Sequence, residues 1–286
     1  MKILVLGVTG MLGNVMFRSL SQNARYEVFG SARSASASRY FADEMAGRIV
    51  TGVDVENQDA LVQLFSAVRP DVVINCVGLI KQLAAADDPL SAIPINSLLP
   101  HRLAALCALA GARLIHVSTD CVFSGEKGRY LESDPSDAKD LYGRSKFLGE
   151  TKDPHTITLR TSIIGPELHG GAHALLGWFL SQQGAVKGYT RAIFSGFPTI
   201  ELARIVDAFV IPRPDLFGLY HVAAQPISKF DLLTLIADVY GKQIEIEPTA
   251  EPAIDRSLDA SRFNSVTGYD APSWRELVTH MFNFKQ

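Results

Sequence analysis

Through the first 160 residues, short runs of Val, Ile and Leu alternate with longer segments whose apolar positions recur at helical spacing. Apolar runs of this kind are strands buried on both faces, and their alternation with helices marks a parallel sheet covered on both sides. The pattern predicts strands at residues 3–7, 27–31, 49–53, 72–76, 114–118 and 156–160, with helices at 11–21, 58–68, 96–110 and 142–151, in a doubly wound α/β order. Beyond residue 160 the strict alternation breaks. Helices are expected at 172–182, 200–210, 229–240 and 274–282, with strand pieces at 219–222 and 244–247. This predicts residues 1–162 as one domain. Residues 163–286 form a smaller α/β lobe, some segments of which return to the first domain, with a ligand cleft between the two. The small-residue stretch 31–38 reads as a loop.

Composition narrows the function. The chain has 286 residues, 47% hydrophobic and 20% charged, which is ample for a core and excludes disorder as its main state. With 27 Lys and Arg against 30 Asp and Glu, the net charge of −3 argues against a nucleic-acid or anionic-membrane surface. Apolar runs fall short of the roughly 20 residues that cross a bilayer, and the N-terminus enters a strand without a signal-peptide pattern. Cys76, Cys107 and Cys121 make neither a metal-ligand spacing nor an even disulfide framework. The expectation is a cytoplasmic protein with no catalytic metal.

Gly7-Val8-Thr9-Gly10-Met11-Leu12-Gly13 follows the first strand and opens the first helix. Glycine there permits a tight turn and lets backbone N–H groups approach a pyrophosphate, to which the helix N-terminus adds its positive dipole end. This is a Rossmann-type dinucleotide site, and its spacing resembles the short-chain dehydrogenase/reductase superfamily. After the second strand comes Arg33, which either pairs with a 2′-phosphate or faces solvent; the first reading favours NADPH, with NADH as the alternative. Asp54, followed by Val55, either accepts from an adenine amino group or caps the next helix. Cys76, Val77 and Gly78 end the fourth strand at the cofactor edge, where the glycine lets the backbone pass close.

Ser118-Thr119-Asp120 closes the fifth strand, and Tyr142-Gly143-Arg144-Ser145-Lys146 opens a helix. Tyr142 and Lys146, at i and i+4, share a helix face. A tyrosine, ordinarily of pKa about 10, works near neutral pH if a lysine ammonium stabilises its phenolate. A strand-end hydroxyl would bind the substrate oxygen that gains charge during hydride transfer, and only one of Ser118 and Thr119 can face it.

The glycine loop, residues 118–125, Glu132-Ser133-Asp134-Pro135, the Tyr142 to Lys146 segment, Gly149-Glu150 and Leu159-Arg160-Thr161-Ser162 together resemble the dTDP-4-dehydrorhamnose reductase family of extended short-chain dehydrogenases. The resemblance implies that Thr119, Tyr142 and Lys146 form the catalytic triad. Thr119 would hold a C4 ketone of a nucleotide-activated 4-keto-6-deoxy sugar, NADPH would reduce it, and Tyr142 would protonate the alkoxide. Tyr142 and Lys146 would also touch the cofactor. It implies a nucleotide-sugar partner, surface-polysaccharide biosynthesis, and allows a homodimer.

This sequence departs from the family at Cys121, where the family has Tyr, and at Ile163, where it has an aromatic residue. In the stretch 192–199 it lacks a polar opening. These positions border the sugar pocket, with Asn96 and Phe123 as further candidates. Lys81 lies on a loop that would reach substrate, cofactor or solvent. Arg256 would face the nucleotide diphosphate, or make a surface ion pair with a neighbouring Asp. Cys121 reads as packing, since nothing beside it lowers a thiol pKa. Two other functions share the scaffold: nucleotide-sugar epimerase, and a non-catalytic NADP-binding regulatory subunit. A 4,6-dehydratase would need a second carboxylate where Cys121 stands.

Overall fold

The computed structural model describes residues 1–80, 84–168 and 174–284. Its apolar runs become strands β1 (Lys2–Leu6), β2 (Glu27–Ala32), β3 (Ile49–Thr51), β4 (Val72–Asn75), β5 (Arg113–Thr119), β6 (Thr156–Thr161) and β7 (Gly218–His221). They form one sheet, parallel throughout, in the order β7-β6-β5-β4-β1-β2-β3. The first six lie within two residues of the expected positions. The seventh comes from the C-terminal half and adds to the sheet beside β6. The order in which successive strands are added reverses between β1 and β4, and a crevice outside the strand C-termini opens at such a switch point.

Alternate side chains of β1 serve two cores. Ile3 and Val5 join Val15, Met16, Phe17 and Leu20 of helix α1 (Met11–Ser21). Leu4 and Leu6 face Leu61, Leu64, Phe65 and Val68 of α2 (Gln58–Val68), and Leu99, Leu103 and Cys107 of α3 (Leu99–Ala110). The chemistry-bearing helix, α4 (Leu141–Leu148), is capped by Asp140, whose side chain accepts from Gly143 N–H.

Three local expectations are corrected. The helix expected from residue 96 begins earlier: Pro89–Ala92 is α-helical and Ile93–Leu98 is a π-helical segment leading into α3. Pro100 lacks an N–H and crowds the carbonyl four residues back, that of Asn96, and the wider turn relieves that clash. The same carbonyl lies only 2.0 Å from where a Cβ on Gly149 would sit. The whole run, Pro89–Ala110, is 22 residues and apolar enough by length and composition to cross a membrane, contrary to the reading that no segment is. Half of it is buried inside the protein. Finally, part of the expected 31–38 loop is a 3₁₀ helix, Ala35–Tyr40, because the Ser34 side chain accepts from Ser36 N–H and starts the turn.

The C-terminal half adds α5 (Leu175–Ser181), α6 (Thr199–Ile205), α7 (Lys229–Tyr240) and α8 (Trp274–Asn283). It also holds a three-stranded sheet in which Ala192–Phe194 lies between Ile227–Ser228 and Ile254–Asp255. Residues 172 and 173 of the expected helix at 172–182 lie outside the described residues.

Candidate active site

The glycine loop is shaped as its sequence requires. Gly7 has φ +79° and, with Val8, donates backbone N–H groups to the Ser31 carbonyl of β2, both at 3.1 Å. A Cβ on Gly13 would fall 2.1 Å from the Gly7 carbonyl oxygen, so α1 approaches the loop only because residue 13 has no side chain. Gly10 caps α1 without a side-chain bond, and the first turn, with Met11 and Leu12, holds no acidic residue. Its N–H groups are therefore matched to an anion. Leu12 itself is a core side chain, and Thr9 is half-buried.

Arg33 emerges exposed at the end of β2 and makes no ion pair among the described residues. Asp54 accepts from Glu56 N–H at 3.0 Å, while the cap of α2 is Asn57, which accepts from Asp59 and Ala60 N–H. The cap alternative for Asp54 is thereby corrected. Half-buried Val55 packs beside buried Val53. At the end of β4, Asn75 accepts from Val77 N–H and holds the turn into Cys76, Val77 and Gly78. A Cβ on Gly78 would stand 3.8 Å from Lys146 Nζ, which brings the cofactor edge and the chemical helix together.

At the end of β5 the two hydroxyls separate. Ser118 Oγ donates to Glu150 at 2.8 Å, whereas Thr119 Oγ1 accepts from Cys121 N–H at 3.1 Å, donates to Asp120 Oδ1 at 3.3 Å and acts on the Tyr142 phenol. Thr119 is thus the hydroxyl on the site side. Lys146 is buried and donates to the Val117 carbonyl at 2.9 Å. Burial pushes its pKa down to about 8, against the pull of Glu150 and of Cys76. The Cys76 thiol is itself pushed up to about 12 by burial. Tyr142 departs from the expectation that Lys146 would lower it: burial first, then Cys121, raises the phenol pKa, and the hydrogen bond with Thr119 only partly opposes them. Tyr142 is accordingly a phenol at neutral pH. Asp120 is also raised, by burial, against hydrogen bonds from Ser162, Cys121 and Thr119 and the charge of Arg256.

The substrate-side expectations divide. Asn96 is fully buried, accepting from Leu79 N–H at 3.0 Å and donating to Ser145 Oγ at 3.1 Å. Its amide ties the π-helical segment to α4. Phe123 is a core ring, stacked on Tyr130 at 4.1 Å between centroids and under the Arg160 guanidinium. Neither side chain is exposed in this structure. Ile163 is half-buried in the strand Ile163–Ile164, paired with Phe197–Pro198. Lys81 lies outside the described residues. Arg256 donates through Nε to the Phe123 carbonyl at 2.7 Å and, among the described residues, makes no ion pair with a neighbouring Asp.

The sequence reading passed over Lys229. The charge of this half-buried first residue of α7 is felt with those of Asp120, Cys121 and Arg256, and its ammonium makes no hydrogen bond among the described residues. Only the packing of the small sheet brings it there, so periodicity held no signal for it.

Fold and site together define an oxidoreductase of the extended short-chain dehydrogenase/reductase type. The RmlD substrate binding domain family matches residues 1–286, and the chain belongs to that family. Among its relatives, the dTDP-4-dehydrorhamnose reductase of Aggregatibacter actinomycetemcomitans is 25% identical over 98% of each chain. The methionine adenosyltransferase 2 subunit beta of Xenopus laevis is 30% identical over 84% of this chain and 72% of its own. The Bacillus anthracis dTDP-4-dehydrorhamnose reductase, solved in complex with NADP, superimposes with a TM-score of 0.78 at 21% identity, over 98% of each chain.

Proposed function

We propose that the protein reduces the C4 ketone of a nucleotide-activated 4-keto-6-deoxy sugar with NADPH. The observation that carries this reading is the convergence of Thr119, Tyr142 and Lys146 beside the glycine-loop edge of the sheet. The loop fits a dinucleotide, since the Gly13 contact and the first turn of α1 leave backbone N–H groups for a pyrophosphate. Exposed Arg33 at the end of β2 suits a 2′-phosphate. NADP in the Bacillus anthracis neighbour supports the same choice.

When bound there, the nicotinamide supplies the hydride. The protein's own groups do the rest. Thr119 Oγ1, which in the free site donates to Asp120 at 3.3 Å, would turn its one proton to the ketone oxygen and fix it. Tyr142, held as a phenol by its surroundings, gives its proton to that oxygen as negative charge develops. Lys146, still an ammonium below about pH 8, stands one helical turn from Tyr142 on the same helix and would hold the cofactor's ribose. A donor tyrosine matches the reductive direction, in which the site must end by protonating an alkoxide.

The test is loss of reduced-nicotinamide absorbance with dTDP-, UDP- and GDP-linked 4-keto-6-deoxy sugars, using NADPH and NADH in turn. NADPH oxidation with one of them is expected, and Tyr142→Phe should lower kcat by about 10²- to 10⁴-fold while leaving NADPH affinity unchanged. The Xenopus laevis relative's name favours a second reading, a cofactor-binding subunit. Tight NADPH binding without oxidation of any sugar would support it over the reductase.

A further inference from the structure

Tyr142, Lys146 and Glu150 stand four residues apart, the last of them just past the end of α4. Glu150 turns toward the sheet, where its carboxylate accepts from Ser118 Oγ and from Nε and Nη2 of Arg160. Three charge-assisted hydrogen bonds fix the place of its negative charge. Lys146 is 5% exposed and spends one of its three protons on the Val117 carbonyl. It makes no ion pair among the described residues, although an ammonium taken out of water needs a countercharge. The other titratable groups around α4 supply none. Burial keeps His116 of β5 neutral and the Cys76 thiol protonated, and Asp120 and Cys121 act on Tyr142. Asp87 is exposed on the 3₁₀ turn Ala84–Asp87, and exposed His101 of α3 is bonded to the Leu148 carbonyl. The segments Pro89–Ala92 and Ile93–Leu98, also packed on α4, carry no titratable side chain. Glu150 is the carboxylate whose charge reaches Lys146, and it does so without contact.

We propose that Glu150 is a positioning residue for the reduction: pinned by Arg160 and Ser118, it acts through Lys146, holding the lysine as an ammonium while leaving its donors to the cofactor's ribose. The proposal rests on the reductase reading above. A carboxylate in direct contact would hold the charge as well, but would take the same protons that the ribose hydroxyls need. Arg160 fixes the carboxylate, and standing alone it would repel the ammonium. Glu150 and Arg160 therefore act on Lys146 with opposite signs. Of Lys146, Cys76, Tyr142 and His116, only Lys146 titrates between about pH 7 and 9.5, since burial holds the thiol at about 12, raises the phenol and lowers the imidazole.

The experiment follows two quantities from about pH 6.5 to 9.5: NADPH affinity, by enhancement of nicotinamide fluorescence, and kcat/KM for the sugar that the wild type reduces. Both should decline along an alkaline limb that begins near the Lys146 value of about 8. Glu150→Gln should move the limb lower by about one pH unit or more. Glu150→Asp keeps the charge on a shorter stem and should move it far less. Arg160→Met strips the carboxylate of its partner and should move it higher. A purely structural join would shift all three variants the same way, because each disturbs the same contact. Far-ultraviolet circular dichroism checks that each variant is folded. Coincident limbs in the wild type and folded Glu150→Gln would overturn the proposal, as would a limb lowered equally by Gln and Asp. Should Glu150→Gln not fold, a limb in Arg160→Met that fails to rise overturns it instead. If the wild type binds NADPH but reduces no sugar, the reductase reading falls, and the binding limb still decides whether Glu150 acts through Lys146.

Discussion

His221 shows how far a single side chain is set by its neighbours. Its Nδ1–H donates to the Tyr130 carbonyl at 3.0 Å, and its Nε2 faces Arg160 Nη1 at 3.3 Å. A proton on Nε2 would confront that guanidinium. Burial first, then Arg160, accordingly lowers the imidazole pKa from 6.5 to about 4. His116, buried beside Asn75 and near Lys146, is lowered as well. Between pH 6.5 and 5 the unfolded chain takes up protons at both histidines and the folded protein takes up neither. Stability is therefore full above pH 6.5 and falls as the pH drops, by ~1.4 kcal/mol per pH unit for each fully linked proton. Urea midpoints measured across that window should decline, and His221→Gln should flatten the decline by about one proton. A slope unchanged by the substitution would refute this linkage. Residue-level legibility follows the same division. The Tyr142 and Lys146 pair was readable because i and i+4 share a face whatever surrounds them. The direction of the Tyr142 pKa was not, because it depends on burial and on Cys121, which only the fold brings near.

At the scale of elements, the join of α4 to the sheet carries most of the site's rigidity. Glu150, just past the end of α4, is held by Arg160 of β6 through two bonds, at 2.6 and 2.7 Å, and accepts from Ser118 of β5 at 2.8 Å. The two charged side chains are 6% and 2% exposed. This pair locks the helix carrying Tyr142 and Lys146 against the strand carrying Thr119. Removing one charge strands the other, so Glu150→Gln should cost about 3–5 kcal/mol in chemical denaturation. A cost under about 1 kcal/mol would show that the join is held by packing instead. The strands of this region were legible because β-branched and Leu-rich runs bounded by turn residues have few alternatives. The π-helical entry to α3 was not, since apolar spacing alone does not tell a wide turn from an α-helical one. Asn96 looked like a site residue from its place in the chain, yet its amide is spent joining that segment to α4 and to Leu79.

At the scale of the molecule, the two halves share one core. Helix α1 packs on α6, and Phe197, Leu202, Val206 and Phe263 from the C-terminal half lie in the same buried cluster as Ile3, Val5 and Phe17. The edge of β6 is covered by β7 along the register from Ile157 to Arg160. A chain ending at residue 162 would therefore expose the apolar face of α1 and an unpaired edge of β6, a surface that water penalises and other chains can add to. His221, the partner of Arg160, would be missing too. The full chain is expected to unfold in one cooperative thermal transition, with intrinsic fluorescence and far-ultraviolet circular dichroism coinciding. The isolated 1–162 fragment is expected to lack a sharp transition and to bind a hydrophobic dye. A fragment that folds sharply and binds NADPH as tightly as the whole chain would mean that α6 and β7 only decorate a self-sufficient domain. The site would then be assembled by docking two bodies, whereas a core shared from Ile3 to Phe263 makes the fold itself set the distance from Thr119 to Lys229.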